Sequence, residues 1–382
     1  MGFLRPLASF ALAITSDRYG HGFGTHPSCV SSNLRSRAPA TQLQMVEPGD
    51  ATGKTTCSIH PSFNDDIIDK YDAFILDQFG VLHNGNNALD GAIELVEYLH
   101  SKGKRLIILS NTSAPARIAL QKLPKYGFNS DHFEDAVTSG EESSRYIKQT
   151  YGSTGSVKKA LMLTWDGNKP NNPRLTVTPE GYLEQCGDIA IATSVSDADF
   201  LLFHGSEVWY RGKDTTNEDV SLSPFIEEGS FDNVDPLLKE CLAAKLPAVC
   251  ANPDFIVQTG PKGEGFANMP GKLAARYEEM GGGCATFGKP GVEHFEACVR
   301  KLGLDKERVC HVGDSLHHDI SGAVNAGVPV VFVTSGIHRM TFGTGFGELP
   351  GEGVLEEVME KEVGAMRPSH VVPAFSRAAA PK

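Results

Sequence analysis

From residue 72 the chain alternates short, nearly unbroken apolar runs with stretches in which apolar residues return every three or four positions. The first runs are "AFILD" (73–77) and "RLIILSN" (105–111); later come "RVCHVGDS" (308–315) and "VPVVFVTSG" (328–336). A short run with no polar face predicts a parallel strand buried on both sides. Between the first two, Ala92, Leu95, Val96 and Leu99 fall at i, i+3, i+4 and i+7. That spacing predicts a helix over 89–102, closed by Gly103. A second helix is expected over 113–128, with Pro115 suited to its first turn. A third follows a short strand at 135–138, where Ser139 and Glu142 have the spacing of a capping box. This βαβαβα order predicts an α/β fold built on a doubly wound parallel sheet.

The texture changes at 151–266. Three apolar runs, at 160–165, 200–205 and 247–252, are separated by long polar stretches such as "WDGNKPNNPR". We read this as a smaller α/β unit inserted into the first. The first texture then resumes with helices expected at 271–280 and 291–302 and a strand, "CATFGKP" (284–290), running into a lysine. A short helix should stop at Gly327, and one edge strand is expected near the end. The expected organisation is a leader over 1–57, a core over 58–150, an insert over 151–266, the rest of the core over 267–375, and a tail over 376–382. Two Gly-rich stretches are set aside. "GDATGKTT" (49–56) has three residues between its glycines, where a phosphate-binding loop needs four, and no strand precedes it. "GTGFGELPGEG" (343–353) reads as a surface loop.

Composition changes this picture little. With a net charge of −12, a nucleic-acid surface is not the default expectation. No apolar run approaches the ~20 residues that span a bilayer. The eight cysteines form no CxxC pair, and several sit in apolar runs, as expected of reduced, buried thiols. The first 46 residues differ. They carry four arginines, many hydroxyl residues and a single acid, Asp17. That composition resembles an organelle transit peptide, plastid in preference to mitochondrion; a plain tail on a cytoplasmic protein is the alternative.

In an open α/β sheet the ligand site lies at the carboxyl ends of the strands. Standing there are Asp77, then Ser110 and Asn111, then Lys289, then Asp314 with Asp319 five residues on. Each alone has a structural reading as a cap, turn or surface charge. Together they suit phosphoryl transfer. Carboxylates suit Mg²⁺ with a substrate phosphate. A carboxylate also attacks phosphorus, while a hydroxyl and a lysine hold the phosphoryl oxygens.

In this order and spacing the chain resembles the haloacid dehalogenase (HAD) superfamily, in the branch with a large α/β cap that includes nitrophenyl-phosphatase and phosphoglycolate-phosphatase relatives. The resemblance runs from about 70 to 340 and rests on "DQFGV", "LSN", "GKP" and "GDSLHHDI". It implies Asp77 as nucleophile, Ser110 on the phosphoryl group with Asn111 beside it as a phosphate-binding residue, and Lys289 as stabilising cation. It further implies Asp314 as a Mg²⁺ ligand supported by Asp319. "ANPDF" (251–255) resembles the segment through which such caps reach the substrate, making Asn252 and Asp254 candidate specificity residues; a polar turn is the alternative. The implied partner is a small phosphorylated metabolite, with a homodimer through the cap as a further expectation.

One position departs from the pattern. Most of the superfamily carries a second aspartate where Phe79 stands, as the acid and base of the reaction. Phe79 retains a main-chain carbonyl for the metal but no proton chemistry. It places the chain with a subset bearing an aromatic residue there. His83, His204, His317 and His318 are candidate replacements. Three functions follow: a Mg²⁺-dependent phosphohydrolase; an impaired relative that binds a phosphorylated ligand or a protein; and, third, phosphotransfer or phosphonate-type chemistry, in which the second acid is dispensable.

Overall fold

The structure, a computed structural model, describes residues 57–169, 172, 174–213, 221–259 and 265–378. The expected leader, apart from Cys57, and the loop at 49–56 lie outside the described residues, as do the last four residues of the tail. Four strands open the fold: β1 (Ser58–Ile59), β2 (Ala73–Leu76), β3 (Arg105–Ser110) and β4 (Asp135–Thr138). β5 (Lys158–Thr164), β6 (Ile189–Ile191), β7 (Phe200–Phe203), β8 (Val208–Tyr210) and β9 (Ala248–Cys250) come next. β10 (Ile256–Thr259) and β11 (Gly265–Asn268) form a separate antiparallel pair. β12 (Cys284–Thr286), β13 (Val309–Gly313), β14 (Val330–Val333) and β15 (His370–Val372) complete the chain.

Seven strands make one parallel sheet in the order β1-β15-β14-β13-β2-β3-β4. Its central strands are buried on both faces, as their unbroken apolar runs require. One face packs Phe74, Leu76 and Leu106 against Leu95, Val96 and Leu99 of the helix Ala92–Ser101. The other packs Ile75, Ile107 and Val330 against Phe295 and Leu302 of the helix Val292–Leu302. The second helix is shorter than expected. It runs over Ala116–Lys122 and tightens into a 3₁₀ turn at Leu123–Tyr126, where Pro124 supplies no N–H. The third is capped one residue early: Thr138, not Ser139, accepts from the Glu141 N–H. Ser139 is thereby freed for the site.

A second sheet has the order β12-β9-β7-β5-β6, with β8 antiparallel on β5. Two boundaries differ from the expectation. "CATFGKP" does not join the first sheet: Cys284–Thr286 pairs with Ala248–Cys250. The preceding helix Pro270–Glu279 buries Leu273, Ala274 and Tyr277 in the second core. The chain thus leaves the second sheet only at Phe287, not at 266. The helix Ser139–Thr150, expected with the first sheet, buries Ile147 against Met162, Phe200 and Val249 of the second.

At the end of the chain the expected edge strand, β15, lies between β14 and β1, so β1 holds the edge. Residues 343–351 form the expected turn, but Glu352 starts an unexpected helix, Glu352–Val363, seated by Leu355, Met359 and Val363. The seven described cysteines are free thiols. No described helix is long and apolar enough to cross a membrane.

Candidate active site

Register brings the acids to one edge. Leu76 lies between Ile108 of β3 and Val312 of β13, so the chain leaves all three strands at the same level, carrying Asp77, Ser110 and Asp314. Lys289 arrives differently, on the link from the second sheet to the helix Val292–Leu302. Its Nζ lies 2.8 Å from Asp77 Oδ1 and 2.7 Å from Asp319 Oδ1. All three side chains are buried.

Asp319 is held from three sides. Besides Lys289 it meets His311 Nε2 at 2.8 Å and accepts from the Ser315 N–H at 3.0 Å. His311 was not foreseen. Its other nitrogen lies 3.0 Å from the Ile75 carbonyl, so it ties β2 to Asp319 from beneath the site. A histidine inside the apolar run "VCHVG" was the available signal, because a buried imidazole needs partners.

Asp77, Asp314 and Asp319 each present an oxygen within 4.8 Å of the others. Against these three carboxyl groups stands one ammonium, Lys289, so the buried cluster is short of positive charge among the described residues. The consequences appear in the pKa values. Burial pushes Asp77 up to about 7 against the pull of Lys289. Burial, with Asp77 and Asp319 adding to it, pushes Asp314 well above the carboxylate range. Asp319 goes the other way: Lys289 and His311 overcome burial and hold it well below that range. Lys289 is held above the lysine range, because its two carboxylates outweigh burial.

Two glycines make room for Asp314. A Cβ at Gly80, whose φ is +81°, would lie 1.9 Å from Asp314 Oδ2, and one at Gly336 would lie 2.0 Å from it. The same oxygen accepts from the Ile337 N–H at 2.7 Å. Two buried acids short of positive charge, with oxygens at coordination spacing and a shaped recess, fit a hard divalent cation.

The remaining predicted residues divide. Ser110 is buried at the edge of the site, and its hydroxyl accepts from the Thr112 N–H at 3.3 Å. Asn111 turns to the Lys289 main chain and to Asp254, 2.8 Å from Asn111 Nδ2. Asn252 folds its side-chain oxygen onto the Asp254 N–H at 3.1 Å, an Asx turn that aims Asp254. The helix Pro270–Glu279 approaches this turn through Gly271, where a Cβ would lie 2.1 Å from the Pro253 carbonyl.

Phe79 is half-buried. Its ring meets His83 edge-on at 5.9 Å, and His83 stacks on Tyr126 at 4.0 Å. The histidines give no ready acid. His83 Nδ1 accepts from the Gly85 N–H, and burial pushes the imidazole down to about 3. His204 is in the second core on Thr164 Oγ1, likewise pushed to about 3 by burial. His317 is exposed and touches Phe255. His318 Nδ1 lies 3.6 Å from Asp254 Oδ1, and burial pushes it to about 4.

A parallel seven-stranded sheet, a second α/β unit and an acidic pocket with one lysine at the strand ends define a Rossmann-like hydrolase with a cap. Models of haloacid dehalogenase-like hydrolases match residues 74–169 and 182–327, and a HAD-like hydrolase model matches 286–376. The chain belongs to the haloacid dehalogenase superfamily. It is 26% identical over 324 residues to the 4-nitrophenylphosphatase of Schizosaccharomyces pombe, covering 82% of this chain and 95% of that one. It is 24% identical to the chloroplastic phosphoglycolate phosphatase 1A of Arabidopsis thaliana, covering 81% and 76%. The crystal structure of a haloacid dehalogenase-like hydrolase from Brucella suis 1330 aligns with a TM-score of 0.59 at 24% identity, covering 83% of this chain and all of that one.

Proposed function

We propose that the protein is a Mg²⁺-dependent phosphohydrolase that acts on a small phosphorylated metabolite through an aspartyl-phosphate on Asp77. The observation that carries this reading is Lys289 Nζ set between Asp77 and Asp319, beside an Asp314 carboxyl that forms no ion pair among the described residues. The two phosphatases named above are consistent with the substrate class. Asp77, the Phe79 carbonyl and Asp314 would hold Mg²⁺, with Asp319 behind them. Bound there, the ion would offset charge on the phosphoryl oxygens beside Asp77.

An Asp77 oxygen attacks phosphorus and the bond to the leaving oxygen breaks. Lys289 and the Ser110 hydroxyl take up charge on the phosphoryl oxygens. The leaving oxygen takes its proton from water, since Phe79 offers none. Water then cleaves the acyl phosphate, releasing phosphate and restoring Asp77. A reaction run this way favours esters with weakly basic leaving groups. Residues 151–286 supply the cap and, in the same reading, the surface of a homodimer. The arginine-rich leader and the chloroplastic relative support a plastid location.

Phe79 favours a second reading: a relative that binds a phosphorylated ligand, or a protein, without turnover. A panel of phosphate esters with Mg²⁺, run on wild type and Asp77→Asn, decides between the two. Phosphate release by wild type and none by Asp77→Asn is the expected result. Release by neither leaves the binding role.

A further inference from the structure

The Asn111 amide has no hydrogen-bonding capacity left. Its Oδ1 accepts from the Lys289 N–H at 2.7 Å and from Ser139 Oγ at 3.4 Å. Its Nδ2 donates to the Lys289 carbonyl at 3.2 Å and to Asp254 Oδ1 at 2.8 Å. A side-chain amide has two donors and one two-lone-pair acceptor, and all are engaged. An N–H and a carboxylate as partners fix which way the amide faces. Asn111 therefore brackets the Lys289 peptide from both sides and has nothing free for a phosphoryl oxygen.

The fourth partner belongs to another part of the fold. Asp254 stands between β9 of the second sheet and the β10–β11 pair, in a turn fixed by Asn252 and by the Gly271 N–H, which donates to the Asp254 carbonyl at 3.0 Å. The Asn111–Asp254 bond is thus a direct polar tie from the end of β3 to the cap. Gly288, just before Lys289, leaves no room for adjustment: a Cβ there would lie 2.2 Å from Ser139 Oγ and 2.6 Å from Asn111 Oδ1.

We propose that Asn111 is a positioning residue that couples the seating of Asp254 to the placement of Lys289, so that the ammonium reaches Asp77 only when the cap is docked. This rests on the reading of Lys289 as the phosphoryl-stabilising cation. Unseating Asp254 leaves one Asn111 donor unpaired and loosens the peptide it holds. A small misplacement of a catalytic group costs up to about 100-fold in rate.

Two measurements test this together: steady-state kinetics with an aryl phosphate and Mg²⁺, and hydrogen exchange at the Gly288 and Lys289 amides without substrate. Asp254→Ala, at a partly exposed site, should lower kcat by about 10-fold with KM nearly unchanged and speed exchange at Lys289. Asn111→Asp sets two carboxylates face to face and should do the same more strongly. Adding Asp254→Asn to Asn111→Asp restores the donor–acceptor pair between 111 and 254, though not the donor to the Lys289 carbonyl, and should recover part of the protection at Lys289. A rise in KM alone for Asp254→Ala makes Asp254 a substrate contact and overturns the proposal. So does unchanged Lys289 exchange in Asp254→Ala, or a swapped pair no better protected than Asn111→Asp. If wild type releases no phosphate, the hydrolase reading fails, and the exchange results alone still decide whether Asp254 controls Lys289.

Discussion

Lys289 Nζ and Asp77 Oδ1 stand 2.8 Å apart, and both side chains are buried. The pair is one arm of a three-member arrangement, since the same ammonium also holds Asp319. Removing the cation strands two carboxylates in a buried space. Lys289→Met should destabilise the protein by about 3 kcal/mol and abolish phosphate release. Asp319→Asn in the same chain should recover much of the stability and none of the activity. Urea denaturation with a parallel phosphate assay checks both.

Phe79→Asp restores a proton donor two residues after Asp77, at the cost of the edge-on contact with His83. An acid–base group contributes about 10²–10⁴-fold. The variant should release phosphate faster than wild type from alkyl phosphates, whose leaving oxygens are strongly basic. It should gain little with aryl phosphates, whose leaving oxygens depart unassisted. The ratio of the two rates is the measurement.

Mg²⁺ should stabilise the folded protein, because it supplies the positive charge that the cluster around Asp77 and Asp314 is short of. At about 100 times its dissociation constant the gain is about 2.7 kcal/mol, or roughly 4 °C in Tm for a chain of this length. Asp314→Asn should lose most of that shift. Thermal denaturation in Mg²⁺ and in chelator shows it, without any need for turnover.

Burial disfavours the charged form of His204 and of His370. His204 packs on Thr164, and His370 lies between Tyr71 and His60 at 3.1 Å from each. Burial lowers the first to about 3 and the second to about 4, from an ordinary 6.5. The unfolded chain therefore binds these protons first. Their stabilising contribution is whole above pH 6.5 and is lost as pH falls toward 4. Wild type should lose stability relative to His204→Gln across that window and hold a constant difference above pH 7. Urea midpoints at a series of pH values give the comparison.

Much of this was legible in the chain. Parallel strands buried on both faces announce themselves as apolar runs, and Asp77, Ser110 and Asp314 stand where those runs end. The allegiance of "CATFGKP" was not legible, because a short apolar run looks the same in either sheet and only pairing with Ala248–Cys250 decides it. The helix Glu352–Val363 was hidden by its setting: it begins inside the Gly-rich stretch 343–353, ahead of its apolar residues Val354, Leu355, Val358, Met359 and Val363. The roles of Asn111 and His311 depend on which partners the fold delivers, and no spacing encodes that. His204 looked available at the end of a strand and is instead core.

Gly80 and Gly336 close on Asp314 from two sides, while their neighbour Phe79 stands half in the open. Tolerance to change is therefore uneven over two consecutive residues. Position 79 has room for a side chain of quite different chemistry, whereas position 80 has room for no side chain at all. A lineage could exchange an acid for an aromatic ring at 79 and keep Asp314 undisturbed. The residue at 79 and the carboxylate recess are then separately heritable parts, and a change in the first leaves the second its shape.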